Sequence, residues 1–173
     1  MRRVVEWLAA ASALIGGLVL LALILMTCAS IVGRAFSWLG TGPVQGDFEL
    51  IELGTAFAIF AFLPLAQLKG AHAVVDLAVT ALPARAQNAL VAFWEVVLTL
   101  ILAVILWRLF AGMEDRLRYG DTSYLLGIPL WQVYAACLVP AAVGVIVGLW
   151  VSIDRIGAVL HGEPIPETGG REP

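Results

Sequence analysis

Charged residues are scarce in this sequence. Only 13% of its 173 residues are Asp, Glu, Lys or Arg, whereas 61% are hydrophobic, and a soluble globular domain carries about 25% charged residues. A chain with so little charge is expected to have lipid as its solvent over much of its length. The net charge of −3 also leaves no large basic surface of the kind that binds nucleic acid.

Cysteine and histidine are equally rare, with two of each. Cys28 and Cys137 both lie within apolar segments, where cysteine is usually a small buried hydrophobic residue. A metal site needs three or four ligands, and no cluster of Cys, His and carboxylates supplies them. No glycine-rich phosphate loop follows a predicted strand. The sequence therefore predicts no catalytic residue, no cofactor and no metal.

Four long segments that are almost free of charge predict four transmembrane helices. About 20 apolar residues span a bilayer as a helix, and the segments place the spans near residues 8–33, 48–68, 87–109 and 128–151. Most tryptophans fall near predicted helix ends, as expected for amphipathic rings at the membrane interface, and Trp94 is the exception. The predicted fold is an all-α integral membrane domain over residues 1–155.

The first span follows the basic residues Arg2 and Arg3, so a cleaved signal peptide is an alternative. Its apolar run is longer than the roughly 7–15 residues of a signal peptide and ends without a small-residue cleavage site, which favours a retained helix. Four spans place both termini on one side, with six basic residues against four on the other side. This count predicts cytoplasmic termini. The tail has three prolines, two adjacent glycines and no apolar period, which predicts a disordered cytoplasmic segment over residues 156–173.

The segment after the second span contains His72 and Asp76, which share one helical face at i, i+4 spacing. Apolar residues lie on the opposite face, so the pattern predicts a short amphipathic helix near 72–82, lying flat at the cytoplasmic interface. A His–Asp pair can also orient a catalytic base, but no nucleophile accompanies this one. We therefore interpret the pair as structural, in preference to a direct chemical role.

Glu95 stands inside the third predicted span, where a carboxylate is costly and usually paired or neutral. Asn88, Glu95 and Thr99 fall on one helical face, which is expected to face protein. Two interpretations stay open, a bond to another helix of this chain and a polar contact with a second subunit.

Other charged and small residues are candidates for contacts between helices. Glu49 and Glu52 begin the second span at the depth of Arg34, which predicts an ion pair or anchoring at the interface. Gly144 and Gly148 have the small-xxx-small spacing that allows helices to approach closely. Ala13 and Gly17 have the same spacing in the first span, and Pro140 should kink the fourth helix.

Several short motifs follow one another in order. Arg34 closes the first span, "FELIELGTAF" opens the second, His72 and "VDL" follow it, "LPARAQ" leads into the third, and "GDTSYLLGIPLWQVYAACLVP" opens the fourth. In these motifs and its four-span layout, over about residues 1–155, the sequence resembles the small membrane subunit (DctQ-like) of tripartite ATP-independent periplasmic (TRAP) transporters. Pro64 departs from the family, which more often carries a small residue there, and is expected to alter the bend of the second helix.

The resemblance implies a secondary transporter of the bacterial inner (cytoplasmic) membrane. A periplasmic solute-binding protein would deliver an organic acid to a large membrane subunit, which moves it with sodium. The small subunit would be a non-catalytic scaffold with the large subunit, the binding protein and membrane lipid as its partners. The outward segments near 37–47 and 112–127 would meet the binding protein, and the second carries the candidate docking residues Arg116, Arg118 and Asp121.

Two other functions remain as alternatives. A membrane anchor of a respiratory enzyme would bind haem or quinone, but haem ligands are commonly histidines, and His72 and His161 are both predicted outside the spans. An orphan tetraspan adaptor would have no large membrane subunit as a partner.

Overall fold

Four long α-helices dominate the described chain. The computed structural model describes residues 2–40, 42–69 and 84–161. The helices are α1 (Arg2–Ala35), α2 (Asp47–Lys69), α3 (Ala84–Tyr119) and α4 (Leu130–His161), with a 3-10 turn at Ser37–Leu39. All four helices are long and apolar enough to cross a membrane, so the predicted all-α fold with four spans is confirmed.

Two predicted features extend beyond the described residues. The amphipathic helix near 72–82, with His72 and Asp76, lies outside them, and so does the segment after His161. The fourth helix continues to His161, so residues 156–161 belong to α4 and not to a disordered tail.

The helices pack in the spatial order α1, α2, α4, α3. α1 packs along α2, α2 along α4 and α4 along α3, and α1 also touches α4. The bundle has a terminal end, where α1 begins and α4 ends, and a loop end, where α1 connects to α2 and α3 connects to α4. The helices α2 and α4 are therefore central, whereas α1 and α3 flank them.

Small residues allow the close approach of α1 and α2. A Cβ added to Gly16 would lie 2.7 Å from the Cβ of Ala61, and Ser12 Oγ donates a hydrogen bond to the Ala61 carbonyl (2.9 Å). Ala13 is buried, as expected for a contact residue, but Gly17 faces open space. The expectation for Gly17 was wrong by one residue because the buried stripe of α1 runs through Ala13 and Gly16.

The helix α3 differs most from the sequence expectation. It was predicted to span residues 87–109, but it begins at Ala84 and continues to Tyr119, a length of 36 residues. At about 1.5 Å per residue its length is about 54 Å, well beyond the roughly 30 Å of the hydrocarbon layer. The predicted outward loop 112–127 therefore begins as helix, and the true connection to α4 is residues 120–129.

The position of α3 along its neighbours follows from three contacts. A Cβ added to Gly144 in α4 would lie 3.0 Å from Leu102 in α3 and 3.8 Å from Pro64 in α2, so these three residues are at one level. Near the loop end, a Cβ on Gly112 would lie 2.8 Å from the Tyr134 ring. Residues 87–109 thus lie closer to the terminal end of the bundle than the predicted span placed them.

This displacement accounts for Trp94, the tryptophan that did not fit the predicted span ends. Its neighbour Glu95 accepts a hydrogen bond from Gln67, and Gln67 lies two residues before the end of α2 at Lys69. Trp94 therefore lies near the terminal end of the bundle, where an interfacial ring is expected, and not at the middle of the bundle.

Candidate functional site

Five buried polar side chains from three helices meet near the terminal end of the bundle. We call them the polar cluster: Gln67 of α2, Glu95 and Thr99 of α3, and Ser152 and Arg155 of α4. Their residues are 3%, 5%, 4%, 6% and 8% exposed, respectively. Polar groups withdrawn from water this far destabilise a fold unless they have partners, so the contacts within the cluster decide its effect.

The carboxylate of Glu95 lies at the centre of the cluster. Gln67 Nε2 donates to Glu95 Oε1 at 3.1 Å, and Arg155 Nη1 lies 3.6 Å from Glu95 Oε2 as an ion pair. The pair brings a negative and a positive charge together, so the cluster carries no net charge from them. Glu95 has partners within its own chain, which corresponds to the first of the two interpretations of this residue.

The hydroxyl of Thr99 joins all three helices. It donates to the backbone carbonyl of Glu95 (2.8 Å) and accepts from Gln67 Nε2 (3.2 Å). Because its only proton is used in this way, the contact with Ser152 Oγ at 3.1 Å has Ser152 as the donor. No buried side-chain nitrogen or oxygen of the described residues lacks a hydrogen-bond partner.

Gly148 creates the space that the cluster occupies. A Cβ at this position would lie 2.7 Å from Thr99 Oγ1 and 3.4 Å from Gln67 Cγ. Gly144 and Gly148 were predicted as sites of close helix approach, and both are buried on α4. Gly148 is adjacent to the hydrogen bonds of the cluster, whereas Gly144 lies against Leu102.

Three members of the cluster were not predicted from the sequence. Gln67 is the only amide side chain in the apolar segment of α2, which was a usable signal. Ser152 and Arg155 have i, i+3 spacing at the end of the charge-free segment of α4, but Arg155 was only counted as a basic residue of the terminal side. Their proximity to Glu95 depends on the packing of α3 against α4, which composition does not encode.

At the loop end, Glu49 ties α2 to the connection between α3 and α4. Its two carboxylate oxygens accept hydrogen bonds from the backbone N–H groups of Leu125 (2.6 Å) and Leu126 (3.0 Å). No ion pair within the described residues joins Arg34 to Glu49 or Glu52, and the side chains of Arg34 and Glu52 are exposed. The expected ion pair is replaced because Glu49 reaches the loop of residues 120–129.

The connection of α1 to α2 uses a different pair. Ser30 Oγ donates to Asp47 Oδ2 (2.6 Å) and accepts from the backbone N–H of Val44 (3.3 Å). Asp47 begins α2, where a carboxylate also stabilises the positive end of the helix dipole. A buried serine of α1 therefore sets the start of α2.

The candidate docking residues Arg116, Arg118 and Asp121 surround the end of α3. Arg116 forms an exposed ion pair with Asp121 (2.5 Å), and the Asp121 carbonyl accepts the N–H of Leu130 at the start of α4 (3.0 Å). Arg118 is exposed. Two of the three residues thus contact each other, and beyond them Tyr124 is 96% exposed at the loop surface.

Comparison with known protein families matches residues 23–156 to the model described as "Tripartite ATP-independent periplasmic transporters, DctQ component". The match covers most of the chain and includes all five residues of the polar cluster. This chain belongs to the DctQ family. Comparisons with curated proteins and with solved structures find no match.

The DctQ family identifies the chain as a small membrane subunit of a TRAP transporter. In TRAP transporters the DctQ component works with a large membrane subunit and a periplasmic binding protein. The family is a transporter component and not a catalytic one. Within the described residues, no group of three or more His, Cys, Asp and Glu side chains is arranged to hold a metal ion. The polar cluster of this DctQ chain is a set of contacts between helices.

Proposed function

We propose that this DctQ-family chain is a non-catalytic scaffold for the large membrane subunit of a TRAP transporter that takes up an organic acid together with sodium. The observation that carries the proposal is the contrast between its satisfied buried polar groups and its largely uncovered apolar helix surfaces. The buried side-chain polar atoms of the described residues have partners within the chain, whereas the apolar spans of α1, α2 and α3 are only 17%, 17% and 22% buried, against 44% for α4. Apolar surfaces of this extent suit contact with lipid and with a second membrane subunit.

A scaffold must keep its shape while its partner moves. The polar cluster joins α2, α3 and α4 at the terminal end, and Glu49 joins α2 to the loop before α4 at the other end. Sliding of one helix along another would leave the buried groups of the polar cluster without partners, and it would also break the hydrogen bonds of Glu49 at the loop end. This supports a rigid role for the subunit and leaves transport movements to the large subunit.

The orientation that we propose places both termini in the cytoplasm and the loop end in the periplasm. It rests on Arg2 and Arg3 at the start of α1, because basic residues flanking a first span favour the cytoplasmic side. Arg2 also forms an exposed ion pair with Glu6 (2.9 Å), which leaves Arg3 as a second positive charge on the same flank.

In this orientation the residues Arg116, Arg118 and Asp121 face the periplasm, together with the exposed Tyr124. A surface of mixed charge guides the encounter with a partner and its register without requiring a large apolar area. We infer that this surface helps to dock the solute-binding protein during delivery of the substrate.

Affinity purification of the chain from its native membranes tests the scaffold directly. A tag at the amino terminus, with extraction in a mild detergent, should recover the large membrane subunit in an equimolar complex. A chain recovered without any large membrane subunit would contradict the proposal, and a haem absorbance band in the preparation would assign the chain to a respiratory enzyme instead.

A further inference from the structure

Arg108 is an exposed arginine at a level of the bundle where the neighbouring helices are apolar. It lies between Leu102, which is level with Gly144, and Gly112, which is level with Tyr134. Its level on α4 is therefore between Tyr134 and Gly144, within the charge-free segment 122–153. Any bilayer position that contains the middle of α4 also contains the backbone of Arg108.

The length of α3 separates Arg108 from the loop end. The predicted span ended at residue 109 and placed Arg108 at the interface, but α3 continues to Tyr119. Eleven further residues at about 1.5 Å each correspond to about 16 Å of helix. Helical side chains also lean toward the amino terminus of their helix, and the amino terminus of α3 is at the terminal end. The Cα–Cβ bond of Arg108 is therefore tilted away from the nearer interface.

The bundle itself does not cover Arg108. The buried face of α3 is formed by Ala92, Glu95, Thr99 and Leu102, and at 100° per residue Arg108 points about opposite to it. In the described part of the chain, Arg108 takes part in no ion pair and no hydrogen bond. Its neighbours on the outer face, Ile101 and Val104, are each 49% exposed.

We propose that the large membrane subunit covers this face of α3 and places a carboxylate side chain against Arg108. An intramembrane arginine that faces hydrocarbon is costly, and such residues almost always face a protein interior or pair with an opposite charge. A guanidinium matches a carboxylate with two parallel hydrogen bonds, and Ile101 and Val104 supply the apolar contact around it. The proposal rests on the scaffold function. It specifies that the contact with the large subunit is made by α3, through Arg108 and an ion pair with a carboxylate.

The outer face of α1 provides the contrast. Leu14, Leu18, Leu21 and Leu25 are between 53% and 66% exposed, and the segment from Trp7 to Gly33 has no charged residue. A face without polar groups is suited to lipid. The two flanking helices of the bundle are thus assigned different surroundings, with α3 against the large subunit and α1 against lipid.

Substitution of Arg108 distinguishes a protein contact from a lipid contact, because loss of a protein contact should weaken the complex without destabilising the isolated subunit. Arg108→Leu should lower the yield of co-purified large subunit at least about ten-fold, since it leaves a buried carboxylate without its partner. The isolated variant should be at least as thermostable in detergent as the parent chain, because the residue contacts nothing within the bundle. Arg108→Lys keeps the charge and should retain most of the complex. Undiminished recovery of the large subunit with Arg108→Leu would overturn the proposal and assign Arg108 to lipid headgroups.

Photo-crosslinking keeps the proposal testable if the substitution lowers expression. A photoreactive residue at Val104 should yield a product with the large subunit, whereas one at Leu18 should yield none. If no crosslinked product forms at Val104 while the parent chain still co-purifies the large subunit, the assignment of this face is refuted but the scaffold function is not. Absence of the large subunit from the parent preparation would instead contradict the scaffold function.

Discussion

Glu95 brings a negative charge into a mostly apolar bundle, and its neighbours determine whether that charge stabilises or destabilises the fold. The carboxylate has Arg155 at 3.6 Å and Gln67 at 3.1 Å, so neither charge is buried alone. Removal of one partner from a buried ion pair is usually far more destabilising than removal of both. At the scale of single residues, the polar cluster therefore specifies an arrangement of helices more than it adds net stability.

We expect Glu95→Ala to destabilise the isolated subunit by about 3–5 kcal/mol, because Arg155 is left buried without a counter-charge. Glu95→Gln should cost less, since an amide still accepts the hydrogen bond from Gln67. Thermal or denaturant unfolding of the subunit in detergent measures both effects. Leu100→Ala is a suitable control on the opposite, 64% exposed face of α3.

The double variant Glu95→Ala/Arg155→Ala provides the decisive comparison with the single variants. If the ion pair couples the two residues, the double variant should be less destabilised than the sum of the two single variants. Strict additivity would show that Glu95 and Arg155 act independently and would contradict the role of the pair in the cluster.

At the scale of the helix pair, the contact between α3 and α4 depends on the absence of a side chain at Gly148. Its hypothetical Cβ would be 2.7 Å from Thr99 Oγ1, too close for the two helices to keep their separation. Gly157 lies further along α4 with no atom within 4 Å of its hypothetical Cβ. The two glycines of one helix thus form a matched pair for substitution.

Gly148→Ala should destabilise the subunit by about 1–3 kcal/mol through overpacking. Gly157→Ala should be neutral or slightly stabilising, since alanine favours a helix by about 1 kcal/mol over glycine. Unfolding in detergent compares the two variants. Equal effects of the two substitutions would show that close approach at Gly148 is not required.

Composition predicted the helices but not their positions relative to one another. Charge-free segments identify spans because lipid excludes unpaired charge, and this signal is local in the sequence. The register of α3 is not local, since it depends on how Leu102, Gly144 and Pro64 meet. A span centred on the charge-poor part of α3 therefore placed Glu95 too deep and Arg108 too close to the interface.

The candidate site shows the same limit. The helical stripe of Glu95 and Thr99 was sufficient to predict that this face contacts protein. The partners Gln67 and Arg155 come from two other helices, and only the packing of α2 and α4 brings them within hydrogen-bonding distance. The carboxylate of Glu49 binds backbone N–H groups of Leu125 and Leu126. Almost every residue has a backbone N–H group, so the residue types at these positions could not indicate the contact.

At the scale of the whole molecule, the described residues form a mostly apolar bundle with one buried polar cluster, whose groups have partners within the chain, and two flanking helices with unlike outer faces. The face of α1 is apolar throughout, whereas that of α3 contains Arg108. A subunit built in this way can remain fixed in the membrane while it holds a partner on one side. This arrangement is consistent with the scaffold function that we propose, in which the large subunit moves the substrate.

Reconstituted transport tests that account most directly. Liposomes that contain the large subunit with or without this chain are supplied with the solute-binding protein and an inward sodium gradient, and uptake of the organic acid is measured. We predict sodium-dependent uptake when both membrane subunits are present, and loss of uptake without this chain because the large subunit lacks its scaffold. Full sodium-dependent uptake by the large subunit alone would contradict the account.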